Sequence, residues 1–149
     1  MSLLKINLTG VQAVRERFHS LGAELAGRAL DDTALGIEAY ILQEAGRHNK
    51  TSALIRSVFK ERVPGGWDVG HDERIAPHTV FVHWGTKPHT IKPRDKKALR
   101  WGGGGKFFFA KAVKHPGYKG DRWLLRAAAL APSIFEGHIA AHLATLKGA

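Results

Sequence analysis

The chain is expected to fold as α+β: long N-terminal helices packed on a small antiparallel β-sheet, with a C-terminal helix. Three observations predict this. Apolar residues recur at spacings of three and four through the first fifty positions, short β-branched and aromatic runs separated by Gly and Pro fill the middle, and a second helical stripe closes the chain. At 149 residues and 16.3 kDa the expectation is one domain, 1–149, with 1–50 helical, 51–118 β-rich with a basic hairpin, and 121–147 a C-terminal helix.

In the first part, Thr9-Gly10-Val11-Gln12 fits a capping box, in which the Thr hydroxyl and the Gln amide satisfy helix-start donors. Val11, Val14, Phe18, Leu21 and Leu25 form the first apolar stripe, and Leu30, Ala34, Ile37, Ile41 and Ala45 carry it on to about His48. Phe18 and Ile37 are expected in the core. Gly22 or Gly27 either separates two helices or lies within one long helix. From Leu54 to Val63 the residues suit a strand, Pro64-Gly65-Gly66 a turn, and Trp67 to Gly70 the returning strand. Val80-Phe81-Val82 is a short apolar run between breakers, and His89 to Lys92 precedes Pro93. Lys97–Trp101 and Lys106–Lys114 read as two strands joined by four glycines. Asp121 suits the cap of the last helix, whose apolar side runs from Trp123 to Leu146; Pro132 either kinks it or begins a second helix.

Net charge is concentrated. Residues 84–126 hold twelve Lys and Arg against Asp95 and Asp121, a surplus of ten, which is the whole net charge of the chain. A surplus confined to one folded segment selects polyanions or acidic protein faces. The absence of cysteine excludes disulfides, thiolate catalysis and cysteine-ligated zinc. No apolar run approaches the roughly 18 residues of a membrane span, and MSLLKINLTG lacks a signal-peptide core, so a soluble cytosolic protein without membrane association is expected.

Apparent catalytic motifs fail on their chemistry. Gly102 to Lys106 resembles a phosphate loop, but Phe107 stands where a hydroxyl must hold magnesium, and a strand follows instead of a helix. His138 and His142 have helical metal-ligand spacing, yet Ile139 replaces the Glu of zinc proteases and no third ligand is in sight. His78, His83 and His89 have no acid or nucleophile at a telling spacing. Trp67, Trp84, Trp101 and Trp123 lie near the basic residues. Core and interface packing is the favoured reading for them over base stacking, since their neighbours are apolar. No catalytic, cofactor or metal residue is therefore expected.

Five pieces occur in a telling order: Thr51-Ser52-Ala53-Leu54-Ile55-Arg56-Ser57-Val58, Val82-His83-Trp84-Gly85-Thr86, Pro88-His89-Thr90-Ile91-Lys92-Pro93, Lys97-Ala98-Leu99-Arg100-Trp101 and Val113-Lys114-His115-Pro116-Gly117. In this order, over roughly residues 51–130, they resemble small tailed-bacteriophage neck and tail-completion proteins. Ser52 stands for that family's usual Gly, His83 for its usual Glu, and Trp123-Leu124 for its customary Phe-Leu. The resemblance implies a non-enzymatic structural protein of the virion neck or tail, made in the host cytoplasm. It implies a homo-oligomeric ring or plug acting in head–tail joining or tail completion beside other neck and tail proteins, without cofactor. The candidate surface toward packaged DNA or an acidic partner is Lys87, Lys92, Arg94, Lys96, Lys97, Arg100 and Lys106, with DNA contact independent of base sequence. The alternative is a small basic nucleic-acid-binding protein or a toxin-like ribonuclease.

Overall fold

The computed structural model describes residues 11–48, 51–103 and 105–147. Its architecture is mixed, as expected: a long N-terminal helix, small antiparallel β-ladders and a C-terminal helix. Helix α1 (Val11–Arg47) runs unbroken through Gly22 and Gly27. An exposed helical glycine costs about 1 kcal/mol relative to alanine, too little to break a helix held by its flanks. The capping box at Thr9 lies outside the described residues, as does the side chain of Phe18.

The last helix, α4 (Trp123–Lys147), continues through Pro132 as one element and lies antiparallel on α1. The pairing is pinned at three levels. Arg126 binds Glu44, Ile134 lies against Gly36, and His142 Nε2 sits 2.9 Å from Asp32 Oδ2. Since α4 is shorter, the first turns of α1 extend past its end, and Leu21 on the predicted stripe is exposed. The side chains of Val11 and Val14, like that of Phe18, lie outside the described residues. Farther along the stripe Leu25 and Leu30 are half-buried, Ala34, Ile41 and Ala45 are buried, and Ile37 packs on the core that includes Ile41 and Ala45.

Between these helices the expected β-region differs in detail. Ala53–Arg56 is a helical turn, α2, and the strand begins only at Val58. Leu54 is buried in the core, and its carbonyl accepts the Ser57 hydroxyl at 2.7 Å, which turns the chain before β1. β1 (Val58–Val63) pairs with β2 (Gly66–His71) from Val58↔His71 to Val63↔Gly66 around Pro64-Gly65. The face of this hairpin toward α1 is tied down by Lys60 to Glu38 at 3.0 Å, and by Trp67 Nε1 and Arg62 to Asp31. The run Val80-Phe81-Val82 belongs to a helix, α3 (Thr79–Trp84).

The remaining strands form two further ladders instead of joining one sheet. β3 (His89–Ile91) pairs with β6 (Val113–His115), and β4 (Leu99–Gly103) with β5 (Lys106–Ala110). The single strand expected over Lys106–Lys114 is thus divided at Lys111 and Ala112. The core is small. Ile41, Ala45, Leu54, Ala76, Trp123 and Ala127 form its buried cluster where α1, α2 and α4 converge.

Candidate interaction arm and its histidine anchor

The chain from Gly85 to Lys119 forms one two-stranded arm. At its root Thr86 and Tyr118 exchange backbone hydrogen bonds of 2.7 and 2.9 Å. The same register continues through His89↔His115 to Ile91↔Val113. Residues 92–98 then bulge from the outgoing strand against only Lys111 and Ala112 on the return, and β4–β5 close the tip. The strands of the arm pack mainly on each other and little on the helices.

Positive charge covers the arm. It carries ten Lys and Arg against Asp95 alone, all ten exposed, and among the described residues none of them takes part in an ion pair. All seven predicted basic residues fall on it: Lys87 near the root, Lys92, Arg94, Lys96 and Lys97 in the bulge, Arg100 and Lys106 in the tip ladder. The structure thereby brings them onto one projection. Arg122 and Arg126, also counted in the basic segment, belong to the body, where Arg126 is bound to Glu44 and Asp121.

The tip is also aromatic. Trp101, Phe107, Phe108 and Phe109 are between 47% and 66% exposed. Cross-strand pairing puts Arg100, Phe107 and Phe109 on one face and Trp101 with Phe108 on the other. The Arg100 guanidinium lies 3.9 Å over the Phe107 ring, and Trp101 stacks on Phe108 with centroids 6.1 Å apart. The core part of the packing reading therefore applies to two of the four tryptophans, and only its interface part can apply to the other two. Trp123 is fully buried and Trp67 half-buried, while Trp84 and Trp101 are exposed. Three successive Phe residues on a ribbon must present apolar surface to both faces, a signal that sequence reasoning passed over.

The arm is held where α3 meets α4. Gly85 has φ of +84°, and a Cβ there would overlap the Tyr118 carbonyl, so the two legs of the root approach more closely than any side chain allows. Beside it Trp123 is enclosed by three rings: His48 stacked at 5.4 Å, and His71 and His83 edge-on at 5.6 and 5.0 Å. The indole N–H donates to His71 Nε2 at 3.1 Å. An indole only donates, so Nε2 is unprotonated and the proton of neutral His71 sits on Nδ1, 2.8 Å from Ser57 Oγ. Burial pushes the His71 pKa down, in keeping with a neutral ring. The Ser57 hydroxyl itself donates to Leu54. With a ring N–H facing the hydroxyl and the hydroxyl proton already committed, the pair has no base to activate Ser57 as a nucleophile.

Asp121 does not serve as a plain helix cap. Its carboxylate accepts from Arg126 and from His48 at 2.9 Å, and those bonds, Arg126 foremost, hold its pKa below the usual carboxylate range. Burial likewise lowers the pKa of His83, whose Nδ1 is buried without a hydrogen-bond partner. The three histidines grouped by sequence separate: His83 is buried beside Trp123, His89 stacks on His115 in the arm, and His78 lines a cavity with His48. Of the i, i+4 pair on α4, His142 is bound to Asp32. Among the described residues no group of three potential metal ligands comes together, and no helix is long and apolar enough to cross a membrane. No protein-family model matches the chain, and no curated protein or solved structure matches it.

Proposed function

We propose that the protein is a non-enzymatic assembly subunit, a structural component of a tailed-phage or prophage virion that oligomerises as a ring or plug in head–tail joining or tail completion. The observation that carries this is the arm, basic along its length and aromatic on both faces of its tip, projecting from a body with a small core. A two-stranded ribbon is marginally stable in water. Exposed aromatics beside arginine are the composition of a protein interface awaiting its partner. The order of motifs that resembles neck and tail-completion proteins supplies the virion context. It also includes Gly85 and Gly117, which form the root of this same arm.

Light scattering on purified protein, alone and mixed with the portal-side and tail-side neighbours encoded beside its gene, tests the reading. The expected result is a discrete multi-subunit species, and heads left unjoined to tails when the gene is deleted. A strict monomer under every condition, binding DNA or RNA with steeply salt-dependent affinity, would replace it with the nucleic-acid reading.

A further inference from the structure

We infer that the arm of one copy seats on the outer face of the β1–β2 hairpin of the next copy, a head-to-tail contact between two different surfaces of the same chain. It rests on the assembly reading and names the partner of the arm. The outer face carries Phe59, Glu61 and Asp68, with Glu73 beside it, all exposed. Glu61 stands directly opposite Asp68 in the ladder. Like charges so placed destabilise a sheet unless a cation lies over them.

The chain's own cations do not supply it. Lys60 is bound to Glu38 at 3.0 Å, Arg62 to Asp31 at 3.3 Å and Arg74 to Asp72 at 2.8 Å. Among the described residues Glu61, Asp68 and Glu73 enter no ion pair. Phe59, 37% exposed, borders a cavity of about 550 Å³ with Glu61 and Glu73 on its rim. The recess is lined mostly by polar residues, Lys60, His71, Asp72 and Arg74 among them, so this face offers one exposed ring, Phe59, beside the unpaired carboxylates of Glu61, Asp68 and Glu73. The arm tip offers Phe107 and Phe109 beside Arg100 on one face and Lys106 with Phe108 and Trp101 on the other, unpaired cations among unburied rings. Charge and apolar character are thus complementary at both sites of one sequence. Such a contact between non-identical patches repeats from copy to copy and closes into a ring when the rotation allows.

The experiment is a charge reversal in two places, read by sedimentation velocity with circular dichroism as the folding control. Arg100→Glu with Lys106→Glu reverses the arm; Glu61→Lys with Asp68→Lys reverses the face. Each double variant alone is expected to lose self-association at least about tenfold, the size of a 1.4 kcal/mol deficit. An equimolar mixture of the two is expected to regain it, because each arm then meets a face of opposite charge. Phe107→Ala with Phe109→Ala weakens association with charges unchanged. Wild-type oligomers indifferent to face reversal overturn this docking while leaving the assembly reading intact. Loss of duplex DNA binding on arm reversal, with self-association untouched, makes nucleic acid the occupant and overturns it too. A wild-type chain that remains monomeric at every concentration overturns the assembly reading itself.

Discussion

Trp123 shows how much one side chain carries when the core is small. It is fully buried, ringed by His48, His71 and His83, and its N–H is the donor that fixes the His71 tautomer. Trp123→Ala is expected to cost about 3–5 kcal/mol in urea unfolding, much of a small domain's whole stability. Trp123→Phe keeps most of the volume but leaves His71 Nε2 unpaired, for about 1–3 kcal/mol. The same cluster sets a pH response. Burial first of all lowers the folded pKa of both His71 and His83, whereas the unfolded rings titrate near 6.5. Below that pH the unfolded chain binds more protons, so this stability is complete above 6.5 and is lost as pH falls through 6.5 toward the folded values. The melting temperature should therefore drop between pH 7.5 and 5.5, and less so in His71→Asn, as followed by circular dichroism. An equal drop in that variant would remove His71 from the response. None of this was legible in the sequence, because residues 48, 71, 83 and 123 meet only through folding and no spacing rule links them.

At the scale of elements, the arm depends on its root. In Gly85→Ala the new Cβ overlaps the Tyr118 carbonyl at a φ that only glycine adopts readily, so a cost above about 1 kcal/mol is expected. It should fall on the arm. Amide exchange at Thr86 and Tyr118 should quicken, while exchange along the paired parts of α1 and α4 stays unchanged, since the arm contributes little to their packing. Uniform acceleration through α1 and α4 would show instead that arm and body unfold together. What the sequence disclosed here follows from what local rules encode. The 3.6-residue period revealed α1 and α4, and Pro64-Gly65 revealed the β1–β2 turn, because these are properties of contiguous residues. Val80-Phe81-Val82 gave no such guide: a three-residue apolar run has no period, and its helical state comes from its place between Ala76 and the Trp123 cluster. The division into three ladders was hidden as well, since bulging 92–98 against two residues is a matter of register between distant strands.

Taken as a whole molecule, the chain leaves large apolar side chains exposed, among them Phe81, Phe107, Phe108 and Phe109. Under the proposed assembly these are surfaces of a subunit whose final packing is intermolecular. Its electrostatics then pose a contest. Every copy carries +10, which repels its neighbours, while the proposed contact of arm on Glu61 and Asp68 attracts. Distance decides between them. Repulsion between whole subunits acts over tens of ångströms and is felt at 0.01 M salt, where the Debye length is about 30 Å, but is largely screened at 0.15 M, where it is about 8 Å. Pairs in contact at a few ångströms, partly desolvated beside Phe59 and Phe107, are screened only at far higher salt. Self-association should accordingly strengthen from 0.01 to about 0.15 M salt and weaken again toward 1 M, as measured by sedimentation velocity at constant pH. The arm-reversed variant should lose the weakening limb, because it lacks the attractive pairs. A monotonic fall from the lowest salt would mean that long-range attraction to a polyanion had been carried into the sample, the behaviour of counterion release from nucleic acid. A monotonic rise would mean that the aromatic tip alone holds the copies together and that the carboxylates of β1–β2 have no part in it.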